Sequence, residues 1–91
     1  MVIQVEFFGI PRQRAGTPTV CLEFGGERVA LADVYDELAR RFPGLAAACL
    51  DRGGLRPEYL VNLGGERFIS DPGFPLNPGD SLLLMSADAG G

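Results

Sequence analysis

The chain is 91 residues long, 46% hydrophobic and 22% charged, with twelve acidic residues against eight basic ones and a formal net charge of −4. That length holds one domain with one core, the apolar share excludes a disordered tail, and the acidic balance excludes gripping nucleic acid through a basic face. No apolar run approaches the roughly 18 residues that a membrane-spanning helix needs, and the first residues lack the layout of a secretion signal, so a cytoplasmic protein is expected.

The opening Met1 to Phe8 reads as a strand, because Ile3, Val5 and Phe7 alternate with Gln4, Glu6 and Phe8. Ile10 to Gly16, with Pro11 near its start, reads as a loop. A second strand runs from about Thr17 to Phe24, with Val20, Leu22 and Phe24 on one face, and Gly25-Gly26 closes it. The period then changes from 2 to 3.6. Leu31, Val34, Leu38 and Phe42 form an apolar stripe filled in by Tyr35 and Ala39, which predicts a helix. Its acids come early and its arginines late, as the helix dipole favours, although Ala30 is a weak N-cap. Pro43-Gly44 stops it, and a short second helix is expected over Leu45 to Leu50, before a turn at Asp51-Arg52-Gly53-Gly54.

Tyr59, Val61 and Leu63 start a third strand, and Gly64-Gly65 supplies a tight hairpin into Glu66 to Ile69. Asp71 to Asp80 holds three prolines and two glycines and reads as an ordered connection, with Asp80 fixing the Pro-Gly-Asp turn. The run Leu82-Leu83-Leu84-Met85 predicts a last strand buried on both faces, in the middle of a sheet. The order is β-β-α-(short α)-β-β-β. This describes an α+β fold of the β-grasp kind: a mixed four- to five-stranded sheet packed on one main helix plus a short second helix. Residues 1–86 form the domain, and 87–91 a flexible tail ending in Gly-Gly.

Chemistry-bearing side chains are scarce. All eight basic residues are arginine, and neither histidine nor lysine occurs. The chain holds no histidine base or metal ligand and no amine for a Schiff base. Cys21 and Cys49 are too few for an iron–sulfur cluster and, without histidine, for a typical zinc site. No permanently bound cofactor or metal is expected. Cys49 lies in a small apolar run and reads as packing; Cys21, alternating with Thr19 and Glu23, reads as solvent-facing. Neither a paired-carboxylate motif nor a phosphate loop is present, so a stand-alone enzyme is the poorest fit.

The tail is the exception. Ser86-Ala87-Asp88-Ala89-Gly90-Gly91 has almost no side chain to bury. Fully extended, Ala87 onward spans about 17 Å. Without a Cβ at Gly90 or Gly91, a narrow channel can admit the backbone and present the Gly91 carboxylate to a reactive group.

Several segments together resemble a known family. Phe7-Phe8-Gly9-Ile10-Pro11-Arg12-Gln13-Arg14-Ala15-Gly16 is similar to the opening "FFA-x-L-R-E-x-x-G" of the MoaD/ThiS sulfur carriers, ubiquitin-like β-grasp proteins. The helix end Arg41-Phe42-Pro43-Gly44-Leu45, the pair Val61-Asn62, the approach Pro75-Leu76-Asn77-Pro78-Gly79-Asp80 and the final Gly90-Gly91 also match. The resemblance covers the whole chain and is closer to MoaD, the small subunit of molybdopterin synthase, than to ThiS. Two departures stand out. Pro11 replaces the usual leucine, and Ser86-Ala87-Asp88-Ala89 replaces the commoner "P-P-V-S/A".

The resemblance implies a carrier rather than a catalyst. Its C-terminal carboxylate, here Gly91, would be adenylated by an E1-like adenylyltransferase of the MoaB/ThiF-like family. That partner consumes the ATP. A sulfurtransferase would then supply sulfur to make a thiocarboxylate, with Gly90 giving access. A large catalytic subunit of the molybdopterin synthase type would hold the acceptor. Phe8, Arg12 and Phe74 are candidates for the partner interface. Phe8 shares the open sheet face with Gln4 and Glu6, Arg12 is either a docking arginine or a solvated charge, and Phe74 is either a core lid or an anchor. The alternatives are a carrier for thiamine or another metabolite, a ubiquitin-like protein modifier, and a non-catalytic β-grasp interaction module.

Overall fold

The computed structural model describes residues 1–90. Its first strand, β1 (Val2–Phe8), has the burial rhythm its alternation predicts: Ile3, Val5 and Phe7 buried, Val2, Gln4, Glu6 and Phe8 exposed. The segment expected as a loop is a short helix instead, α1 (Ile10–Ala15). Gly9, at φ 72°, turns the chain from strand into helix, and Pro11 occupies the first turn, where its missing N–H is not needed. A Cβ at Gly9 would lie 3.2 Å from Ser86 Oγ, so the close approach as well as the backbone angle favours glycine.

The second strand, β2 (Thr19–Glu23), pairs antiparallel with β1. The main helix, α2 (Leu31–Arg41), buries Leu31, Val34, Tyr35 and Leu38. Its weak N-cap is compensated from within, since Asp33 Oδ2 accepts the Ala30 backbone N–H at 2.8 Å. Pro43 does end α2, but it also starts the next helix, α3 (Pro43–Cys49), so the two abut at Phe42 with no intervening loop. Two short strand pairs had no separate sequence signal. These are β3 (Val29–Ala30) with β8 (Pro75–Leu76), and β4 (Leu50–Asp51) with β5 (Gly54–Leu55).

The third long strand, β6 (Tyr59–Leu63), turns through Gly64 and Gly65, at φ 64° and 75°, into β7 (Arg67–Ile69). The last strand, β9 (Ser81–Ser86), lies in the middle of the five-stranded sheet, whose order is β2-β1-β9-β6-β7. It runs parallel to β1, with Phe7 beside Leu84 and Phe8 beside Met85, and antiparallel to β6, with Val61 beside Leu84 and Leu60 beside Met85. One sheet face packs on α2 and α3. Phe7, 1% exposed, meets Phe42 edge-on there at 5.7 Å between ring centroids. This is the mixed α+β architecture that the chain order predicts, with the last strand central.

Candidate functional site

The sheet's other face, which no helix covers, is where the register places the candidate site. Side chains alternate, so the residues on this outer face are fixed by the pairing. Phe8, Met85 and Leu60 stand in one row across β1, β9 and β6; Glu6, Leu83, Asn62 and Phe68 stand in the next, across β1, β9, β6 and β7. Phe8 is 50% exposed and Phe68 57% exposed. Met85 is nearly buried and Leu60 and Leu83 are half-buried. Large apolar side chains gathered on an uncovered face mark an interaction surface more than scattered ones would.

The chain leaves the sheet at the edge of this surface. Beyond Ser86 the Ala87 N–H donates to the Glu58 carbonyl at 2.8 Å, and Ala87–Gly90 forms a 3-10 turn. Gly91, the residue expected to carry the reactive carboxylate, lies outside the described residues. Arg12 is on α1, which follows directly from Phe8, so it sits next to the same end of the sheet. Its side chain is exposed, and it makes no hydrogen bond or ion pair among the described residues. Together with Gly9, Gln13, Gly16, Thr17 and Pro18 it borders a shallow surface hollow.

Phe74 is placed elsewhere. It is half-buried against the core on the helix side, its carbonyl accepts the Leu31 N–H at 3.0 Å, and the Arg67 guanidinium stacks 4.9 Å from its ring centroid. The structure thus brings Phe8 and Arg12 to the end of the sheet where the tail departs, and sets Phe74 apart as a cover over the start of α2. Leu60, Leu83 and Phe68 join Phe8 on the outer face without having been singled out from the sequence, as does Asn62, noted there only as half of the matching pair Val61-Asn62. Only strand register reveals them.

No activated nucleophile accompanies this surface among the described residues. Burial pushes the Cys49 thiol up, and it has no exposed surface; burial likewise raises Tyr35 to about 12. Tyr59 is raised first by burial and then by its hydrogen bond to Cys49. The strongest opposite shift is on the surface of α2, where hydrogen bonds from Arg40 and Arg41 hold Glu37 down to about 2. None of these groups lies on the outer face. Among the described residues no three His, Cys, Asp or Glu side chains cluster as a metal site, and no helix is long and apolar enough to cross a membrane. What the described residues offer is an apolar surface large enough to seat a partner, beside the point where the chain leaves β9.

No family model and no curated relative matches the chain. Solved structures do. SAMP1 from Haloferax volcanii, a small archaeal modifier protein, is 26% identical, with all of both chains covered and a TM-score of 0.80. A putative molybdopterin converting factor subunit 1 from Pyrococcus furiosus is 19% identical over 94% of this chain and 97% of that one, with a TM-score of 0.76. A chain of the BexX/CysO complex from Amycolatopsis orientalis is 21% identical over 98% and 99%, with a TM-score of 0.71. These neighbours bear out the β-grasp fold and the resemblance to ubiquitin-like proteins of the MoaD/ThiS type.

Proposed function

We propose that this chain, a ubiquitin-like β-grasp protein of the MoaD/ThiS type, is a sulfur carrier that works docked to partner proteins. The observation that supports the reading is the uncovered apolar face on the central strand β9, the strand that the sequence continues into Ala87 to Gly91. A partner seated on that face would meet the chain where it leaves β9 at Ser86 and Ala87. A neighbour solved as the BexX/CysO complex supports a partner-bound mode of action.

The chemistry follows from the carboxylate. At neutral pH it is ionised and a poor electrophile, with a pKa of about 3.3–3.7. An E1-like adenylyltransferase would activate it: a carboxylate oxygen attacks the α-phosphorus of ATP and pyrophosphate leaves. The terminal sulfur of a sulfurtransferase persulfide then attacks the acyl carbon and AMP leaves; a thiol reductant cleaves the S–S bond of the resulting acyl disulfide, taking the other sulfur into a disulfide and leaving a thiocarboxylate on Gly91. The small side chains of the tail let it thread a narrow channel, and the β-grasp body sets which partner receives it. The finer assignment is the small subunit of a molybdopterin synthase, in a cytoplasmic setting. The putative molybdopterin converting factor subunit 1 among the neighbours supports that choice.

A second reading is favoured by SAMP1, whose name is that of a modifier: Gly91 would form an amide with a target lysine. Intact-mass spectrometry of the chain purified from its own host, beside a Gly91-deleted control, separates the two. A form heavier by one oxygen-to-sulfur replacement, absent from the control, is the expected result. Conjugates to other proteins without that form would favour the modifier. Neither form, with ATP, a sulfur donor and the adenylyltransferase supplied, would overturn both.

A further inference from the structure

The outer face contains a polar side chain that its surroundings do not satisfy. Asn62, on β6, has Leu83 directly across on β9 and Phe68 directly across on β7. It is only 9% exposed, and its Oδ1 is buried with no hydrogen-bond partner. An outward-facing asparagine on an open sheet is ordinarily exposed; this one is buried between apolar cross-strand neighbours. An unpaired amide oxygen in such a frame is unfavourable, and it is relieved when a donor reaches it. Phe68, its cross-strand neighbour on the edge strand, is more than half exposed.

The charges around it point one way. Glu6 and Glu23 stand on the outward positions of β1 and β2, and no outward position of the five strands carries an arginine. A hollow of about 240 Å³ bordered by Gln4, Glu6, Gly64, Gly65, Ser81 and Leu83 opens on this face. A second copy of the chain would bring the same acids against each other, so a heterologous, basic-rimmed partner fits better.

We propose that Asn62 is the specificity-determining acceptor of the outer face. The partner it fits presents an apolar surface with an N–H donor that reaches Asn62 Oδ1, and an arginine or lysine that enters the hollow beside Glu6. This deepens the carrier reading and rests on it.

The test is ATP–pyrophosphate exchange driven by the E1-like adenylyltransferase of the same host, with wild type, Asn62→Leu and Asn62→Val as the varied substrate, alongside thermal melts of each. Removing an unpaired buried amide raises the Tm of the free chain, while losing the partner's donor raises the KM for the carrier about tenfold at unchanged kcat. The second variant keeps the measurement available should leucine not fit the strand. A KM that does not change in the variants overturns the role of Asn62 alone. A KM that rises together with a falling Tm also overturns it, because Asn62 would then be a structural residue. A wild-type chain that supports no exchange overturns the carrier reading and this proposal with it.

Discussion

Phe7 and Phe8 are adjacent in sequence and point to opposite sides of β1, so truncating each should separate folding from docking. Phe7 is 1% exposed and packs edge-on against Phe42. Phe7→Ala deletes a fully buried ring and leaves a cavity, which costs about 3–5 kcal/mol. That is a large part of the roughly 5–15 kcal/mol that holds a domain of this size together. At about 4–8 °C per kcal/mol for a chain this short, the Tm should fall by at least about 12 °C. Phe8 is 50% exposed, so Phe8→Ala removes about half of a buried phenyl and costs about 1 kcal/mol. Its larger effect should appear with the partner. An aromatic ring on a docking face contributes about 2 kcal/mol or more when buried by a partner, or about thirtyfold in affinity. Urea and thermal unfolding followed by circular dichroism give the first pair of numbers, and the carrier KM in pyrophosphate exchange gives the last. Equal destabilisation by the two substitutions would refute the assignment of faces. A Phe8→Ala chain that is both stable and fully competent with its partner would refute the docking face.

Three further outcomes are expected. Glu37 is held at about 2, below its ordinary 4.5, by hydrogen bonds from Arg40 and Arg41, so the stability it adds is present above about 4.5 and is lost as pH falls toward 2; the Tm gap between wild type and Glu37→Gln should close over that window and shrink in 1 M salt, since the pair is on the surface. Asp33→Ala removes the acceptor of the Ala30 N–H and should cost about 1 kcal/mol in urea unfolding, whereas Asp36→Ala, one turn position away with no such bond among the described residues, should cost little. Thiol alkylation at neutral pH should label the exposed Cys21 and spare the buried Cys49 until denaturant is added, and two labels on the native chain would contradict the packing of α3.

Much of the architecture was legible because its signals are long enough to repeat. The alternation of β1, the stripe Leu31–Val34–Leu38 and the paired glycines at 64 and 65 each name their element, and the unbroken apolar run at 82–85 places β9 between two neighbours. The misreadings are short. Six residues of α1 are too few for a helical period, and Pro11 looks like a breaker until its first-turn position is known. Pro43 has the same double meaning, ending α2 while opening α3. The two-residue ladders β3–β8 and β4–β5 are shorter than any pattern, and Asp51 to Gly54 shows only its turn, with Arg52 at φ 52°. Of the site, Phe8 was legible from alternation alone. Leu60, Leu83 and Phe68 were not, because they join Phe8 only through pairings between strands far apart in the chain. Asn62 was legible only as part of the family-like pair Val61-Asn62, and nothing in the sequence showed that its amide would be buried: an outward polar residue in a strand looks ordinary until its neighbours are seen.

The position of β9 also determines how the molecule bears a pull. A partner that grasps the chain end applies tension along β9 itself, away from the body. That strand is laced on one side to β1, from Gln4 to Phe8, and on the other to β6, from Tyr59 to Leu63. Tension along its axis therefore strains both ladders at once in shear, where an edge strand pulled the same way would load only one. If the chain is a carrier as proposed, its tail could be drawn taut by a partner while the body stays folded.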